Sequence, residues 1–140
     1  MMDMESFEKE IQNIKSQILT SRKLEMKGDI DGYNKLYISY NKKICYLGEQ
    51  EGIEMIARSL ISDENYSVRI TGAFYLIPFN PTLSFIKLLG CIRSNHLTDK
   101  NNAIYLIKEW RKKRLRFPVI DAGNVIYVSP QKYKEKYMLK

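Results

Sequence analysis

The residues that could carry chemistry are few and scattered. His96 is the single histidine and stands in a Ser-Asn-His-Leu stretch. A zinc centre needs three or four ligands, and a thiol nucleophile needs a base within hydrogen-bond reach. One histidine completes neither, so His96 is read as a loop residue. Cys45 and Cys91 lie inside apolar helical patterns, with no CxxC or metal-ligand spacing; they are expected to be buried free thiols. The seven glycines form neither GxxxxGK nor GxGxxG, the patterns that cradle phosphates. Glu49, Glu51 and Glu54, and the pair Asp63-Glu64, fall where the pattern places helix starts or turns. Carboxylates there complement the helix dipole rather than forming an acid–base pair. The chain is therefore expected not to be an enzyme and to need no cofactor or metal, and a hydrolase built from carboxylates alone has nothing in the sequence to support it.

Two other groups of residues suit binding better than catalysis. Ten tyrosines are present, and Tyr33, Tyr37 and Tyr40 fall on or beside one face of a single helix. Tyrosine joins a large apolar body to a hydroxyl that tolerates water, which favours it at interfaces. The same spacing also suits core packing beneath the first helix, and both readings stand at this point. Lys108, Arg111, Lys112, Lys113, Arg114 and Arg116 form the densest run of charge. On a continuous helix successive residues are about 100° apart, so these six would not share one face. The run is either a solvated helix end, a patch for an acidic protein, or a nucleic-acid contact; for the last, only Phe117 and Tyr127 offer nearby rings for stacking.

The net charge of +7 is unevenly placed. Residues 1–107 hold 13 Lys and Arg against 13 Asp and Glu, while residues 108–140 hold 10 against 3. A neutral body with a basic end does not resemble a fold striped to follow a phosphate backbone. With 140 residues, 44% of them hydrophobic, the chain is expected to form one compact unit around one core. Asp3, Glu5, Glu8 and Glu10 give the start the wrong sign for a signal peptide, and no stretch approaches the roughly 18 apolar residues of a membrane span. The cytoplasm is the expected location.

The elements that must position these groups follow from apolar spacing. Phe7, Ile11, Ile14 and Ile18 mark a first helix over about residues 4–27, stopped by Gly28. Asp29 or Asp31 is placed to cap a second, in which Tyr33, Leu36, Tyr37, Tyr40, Ile44 and Leu47 step by three or four. After Gly48 a third helix carries Ile53, Ile56, Ala57 and Leu60; a fourth carries Val68, Gly72, Ala73 and Leu76 and closes at Pro78. Pro81 opens a fifth with Leu83, Ile86 and Leu89 inward. Thr98 caps a sixth whose buried side is Ala103, Leu106, Ile107 and Trp110. Residues 117–120 and 125–128 then read as strands about the turn Asp121-Ala122-Gly123-Asn124. Ser129-Pro130 starts a last, lysine-rich helix to about Leu139. The expected fold is all-α, about six helices in antiparallel hairpins, with a short C-terminal β-hairpin and a terminal helix. Residues 1–116 form the helical domain and residues 117–140 a basic extension packed on it.

One constellation goes beyond amphipathicity. Asp63 is followed by Val68 and Arg69, then by the small pair Gly72 and Ala73 and by Leu76. Asp63 is placed to accept backbone hydrogen bonds in the inter-helix turn, Val68 to enter the core, the small residues to let helices close up, and Arg69 to tie the turns of adjacent repeats together. This spacing resembles the HEAT repeat. More widely, Tyr33-Asn34-Lys35-Leu36-Tyr37, Asn65-Tyr66-Ser67-Val68-Arg69, Ala73-Phe74-Tyr75-Leu76-Ile77-Pro78, Ala103 and Glu109-Trp110-Arg111-Lys112 look like a bacterial family of short HEAT-like proteins with no assigned activity. The likeness covers about residues 31–115 and implies an all-helical fold, not a reaction.

The function expected on these grounds is binding of another protein, through Tyr33, Tyr37 and Tyr40 and through Lys108, Arg111, Lys112 and Arg114. A bacterial immunity protein that neutralises a toxin is one form of it. Nucleic-acid binding through the basic end is the alternative, and self-association through the hairpin edge a third.

Overall fold

The computed structural model describes residues 2–138. Their order is α1 (Met4–Met26), α2 (Ile30–Glu51), α3 (Ile53–Ile61), α4 (Tyr66–Leu76), α5 (Pro81–Ile92), α6 (Leu97–Arg111), β1 (Phe117–Asp121), β2 (Asn124–Val128) and α7 (Pro130–Met138). This is a mostly α fold with a C-terminal β-hairpin and a terminal helix, as the spacing predicts. The expected end of α7 at Leu139 lies outside the described residues.

Consecutive helices pack on one another from α1 to α6, and α1 also crosses onto α3 and α4. Four of the helices start on an Asp or Asn side-chain cap. Asp3 accepts the Ser6 N–H (2.8 Å), Asp29 that of Gly32 (3.0 Å), Asn65 that of Ser67 (2.9 Å) and Asn80 that of Leu83 (3.1 Å). Each satisfies a backbone donor that a helix leaves orphaned at its first turn.

The second break falls elsewhere than the sequence suggests. α2 runs through Gly48 and stops at Gly52, whose φ of 97° is open to glycine. Gly48 is instead a packing residue, since a Cβ there would lie 2.8 Å from Ile53 Cδ1. As a result Glu49 and Glu51 sit at the C-terminal end of α2, where the dipole does not favour them. They are held by other groups: Glu51 accepts the Met2 N–H (2.6 Å) and Glu49 lies 3.5 Å from Lys136 Nζ. The α6 start also differs. His96, not Thr98, is the capping residue, with its N–H donated to Ser94 Oγ (3.0 Å). The inward face of α5 is Ser84, Leu88 and Cys91, whereas Ile86 and Leu89 are 60% and 56% exposed. α5 is apolar on most sides, so spacing alone does not single out its buried stripe.

The tightest contact is between α3 and α4. Gly72 faces the backbone of α3 so closely that a Cβ would sit 2.4 Å from Ile61 N. Around it Val68, Ala73 and Leu76 are fully buried, while the Arg69 hydrogen bond stays within its own α3–α4 turn instead of reaching the turn of an adjacent repeat. Asp63 accepts the Asn65 N–H (2.8 Å), and Arg69 donates to the Asp63 carbonyl (3.1 Å) while lying over the Tyr66 ring. Lys15 of α1 reaches the same turn, 3.0 Å from the Asp63 carboxylate. Burial works against ionisation of Asp63, but the Asn65 N–H and the Lys15 ammonium outweigh it and hold its carboxyl below the usual range. The sign follows: its contribution is present above the ordinary carboxylate pKa and is lost as pH falls through the lowered one. Asp63→Asn should therefore show a smaller drop in urea midpoint between pH 6 and pH 2.5 than the unaltered protein; an equal drop would mean that the acid sensitivity lies elsewhere.

The C-terminal segment joins the same core. Phe117 of β1 stacks on Phe74 of α4 (4.8 Å between centroids), and Tyr133 of α7 packs on Phe117 (4.9 Å), Phe79 (5.6 Å) and Tyr137 (5.2 Å). The Tyr133 hydroxyl donates to the Tyr75 carbonyl (2.7 Å), and the Tyr75 hydroxyl donates to Asn41 Oδ1. Both tyrosines are fully buried, so these bonds satisfy groups that water cannot reach.

Candidate functional site

The tyrosines of α2 do not share one environment. Tyr40 is buried, Tyr33 is half-buried and Tyr37 is 39% exposed. Their rings form a ladder along the helix, with centroids 5.9 Å apart for Tyr33 and Tyr37 and 5.6 Å for Tyr37 and Tyr40. The ladder forms one wall of a cleft of about 430 Å³. Ile18, Ile70 and Phe74 lie deep in it; Tyr105 of α6 and Tyr127 of β2 face the ladder. Five tyrosines from three separate segments thus surround one opening.

The cleft is polar as well as aromatic. Asn41 donates to the Tyr37 carbonyl (2.7 Å), and Ser67, Thr71 and Asn102 contribute further polar groups. Arg22 at one end lies 2.8 Å from Glu25 and 3.2 Å from the buried Asp99, which also accepts the Ser67 hydroxyl (3.0 Å). That network binds α1, α4 and α6 together along the cleft wall. Burial first, and then the neighbouring Tyr127, Tyr33 and Tyr105, push the Tyr37 phenol up to about 12. Burial raises Tyr40 further and also raises Tyr33 and Tyr127. These hydroxyls keep their protons at neutral pH, so they serve as neutral hydrogen-bond donors and acceptors.

The basic run meets the cleft only in part. α6 ends at Arg111 and Lys112 follows as its C-cap, while Lys113 turns the chain with φ 60°. The run is therefore a helix end followed by a turn, so its six cations do not lie on one continuous helix. The turn brings Arg114 and Arg116 to the cleft; Lys108, Arg111 and Lys112 are exposed outside its lining. Arg114 is held by Glu109 (2.9 Å). Arg116 donates to the carbonyls of Leu115 (3.0 Å) and Lys113 (3.5 Å) and pairs with no carboxylate among the described residues. Trp110 is half-buried and meets Phe117 edge-on at 6.4 Å.

Four of the residues singled out from the sequence, Tyr33, Tyr37, Tyr40 and Arg114, thus share one site. Arg116 of the basic run and Tyr127 of the hairpin join them, whereas spacing along the chain does not reveal Arg22 or Tyr105 as members. Tyr105 carries a usable signal, since it falls off the Ala103–Leu106–Trp110 stripe of α6 and so had to lie away from the helix's buried side.

The two thiols are free and buried, and burial pushes Cys45 up to about 12. Among the described residues no three of His, Cys, Asp and Glu come together as metal ligands, and no helix is long and apolar enough to cross a membrane. No protein-family model, curated protein or solved structure matches this chain.

Proposed function

We propose that this chain is a non-catalytic protein-binding module of HEAT-like helical hairpins whose partner docks in the tyrosine–arginine cleft. The observation that carries the reading is the convergence of Tyr33, Tyr37, Tyr105, Tyr127 and Arg116, from segments far apart in sequence, on one opening. Tyrosine and arginine dominate interface hot spots, because each buries a large area while keeping polar groups to pair. Neutral phenols on rigid elements lose little freedom on binding, which adds to the affinity such a surface reaches. A bacterial immunity protein, one that blocks a toxin by occupying its surface, is a specific form of this role.

The test is affinity capture from host extract with the tagged chain, run with and without nuclease. One protein should be recovered in both. Tyr37→Ala and Arg116→Glu should each weaken its capture by about tenfold or more, roughly the 1.4 kcal/mol of a hot-spot residue. Lys9→Glu, on the exposed face of α1, should leave it unchanged. Recovery that disappears with nuclease moves the function to nucleic acid and to Lys108, Arg111 and Lys112. Recovery indifferent to both cleft variants removes the cleft from the account.

A further inference from the structure

The hairpin at the cleft mouth has two unlike edges. Its loop is the two-residue turn Ala122-Gly123, with φ of 50° and 80°, so the flanking pair Asp121 and Asn124 is a hydrogen-bonded one. Pairs alternate from there, which makes Ile120–Val125 and Pro118–Tyr127 the non-bonded pairs, with backbone groups directed outward. On β1 both outward carbonyls are occupied, and one of the two outward N–H positions is a proline. Pro118 has no N–H, its carbonyl accepts the Cys45 thiol (3.5 Å), and the Ile120 carbonyl accepts Lys136 Nζ (2.9 Å). α2 and α7 lie against this edge.

The β2 edge has no such cover. Ile126 and Tyr127 are 40% and 56% exposed, and the outward N–H and C=O of Val125 and Tyr127 meet no partner among the described residues. A strand added there would lie about 4.8 Å beyond β2, with alternate side chains beside Tyr127 and so at the cleft. Such an edge gives main-chain hydrogen bonds for affinity and side-chain sites for specificity.

Charge decides the occupant. Of the arginines at the cleft, Arg22 and Arg114 are already paired, while Arg116 faces no carboxylate among the described residues. Arg111, Lys112 and Lys113 are exposed nearby in the chain. A second copy would bring another such basic end, ten cations against three anions over residues 108–140, onto the first. Like charges oppose that pairing and favour an anionic strand.

We infer that the partner offers an extended acidic segment, which adds as a third strand to the Val125–Tyr127 edge and sets alternate side chains into the tyrosine–arginine cleft. This rests on the protein-binding reading above and specifies the form of the bound segment. The experiment is to pan a display library of random short linear peptides on the full chain, then follow amide exchange by NMR with the selected peptides. Selected peptides should carry Asp or Glu at alternating positions, and the Val125 and Tyr127 amides should slow by about tenfold or more on binding. Val125→Pro, which removes an outward N–H and no ladder bond, should weaken binding by about tenfold while Val125→Ala has little effect. Should the proline variant melt early, the exchange measurement on the unaltered chain still decides.

Peptides that bind and respond to Tyr37→Ala, yet leave both amides fast and tolerate Val125→Pro, would overturn the strand and leave the cleft reading standing. Selection of basic peptides, or of none, would overturn the acidic segment. A dimer of the free chain that Val125→Pro dissociates would overturn it in favour of a second copy.

Discussion

Tyr133→Ala is expected to lower the free energy of unfolding by about 3–5 kcal/mol, the range for deleting a large ring from a close-packed core. Tyr133 is fully buried and touches Phe79, Phe117 and Tyr137, so the surrounding rings have little room to collapse into the space it leaves. The change also strips the Tyr75 carbonyl of its 2.7 Å hydrogen bond in a place water does not reach. Tyr133→Phe separates the two effects. It keeps the ring and loses the hydroxyl, so its cost should be nearer 1 kcal/mol. Urea unfolding of the three proteins measures both numbers. A loss below about 1 kcal/mol for the alanine variant would mean that α7 contributes little to the folded state, and the C-terminal segment would then have to be treated as loosely attached.

The second large effect concerns Gly72. Gly72→Ala should cost about 3 kcal/mol, at the upper end of the usual overpacking penalty, because the new Cβ would meet backbone rather than a side chain that can turn away. Ile61 N at 2.4 Å and Ala57 O at 2.8 Å both belong to α3, so relief requires that α3 and α4 move apart. Gly90→Ala is the matched contrast. Gly90 also sits in a helix, but its nearest neighbour to a Cβ is 3.9 Å away at Arg69. Alanine's better helix propensity should then stabilise the protein by up to about 1 kcal/mol. Opposite signs at two helical glycines are the expected result; two similar shifts in melting temperature would refute the close approach at Gly72.

How far the sequence discloses this molecule depends on how local each feature is. The steps Phe7–Ile11–Ile14–Ile18 and Asp63–Val68 report packing within a helix or a hairpin, and the structure bears both out. α2 shows where a local signal misleads. Gly48 reads as a stop, yet a small residue is needed there to admit Ile53, and the true stop is the left-handed Gly52 four residues on. In α5 the apolar content is too even for spacing to choose a face, and the buried one carries Ser84, Leu88 and Cys91 while Ile86 and Leu89 stay exposed. The cleft is harder still to read. Tyr33 and Arg114 are legible as binding types, but their meeting depends on Lys113 turning the chain back and on where the hairpin docks. Those are tertiary outcomes, set by the Phe74–Phe117–Tyr133 packing, in which only Phe74 belongs to the cleft.

The edge-on contact between Trp110 and Phe117 has an optical consequence. Trp110 is the single tryptophan, half-buried at the junction of the last body helix with the hairpin. Indole emission shifts to the red as the ring meets water, so the chain's intrinsic fluorescence reads that one seam and little else. The molecule thus carries, without any attached dye, a spectroscopic gauge of whether its C-terminal segment is seated.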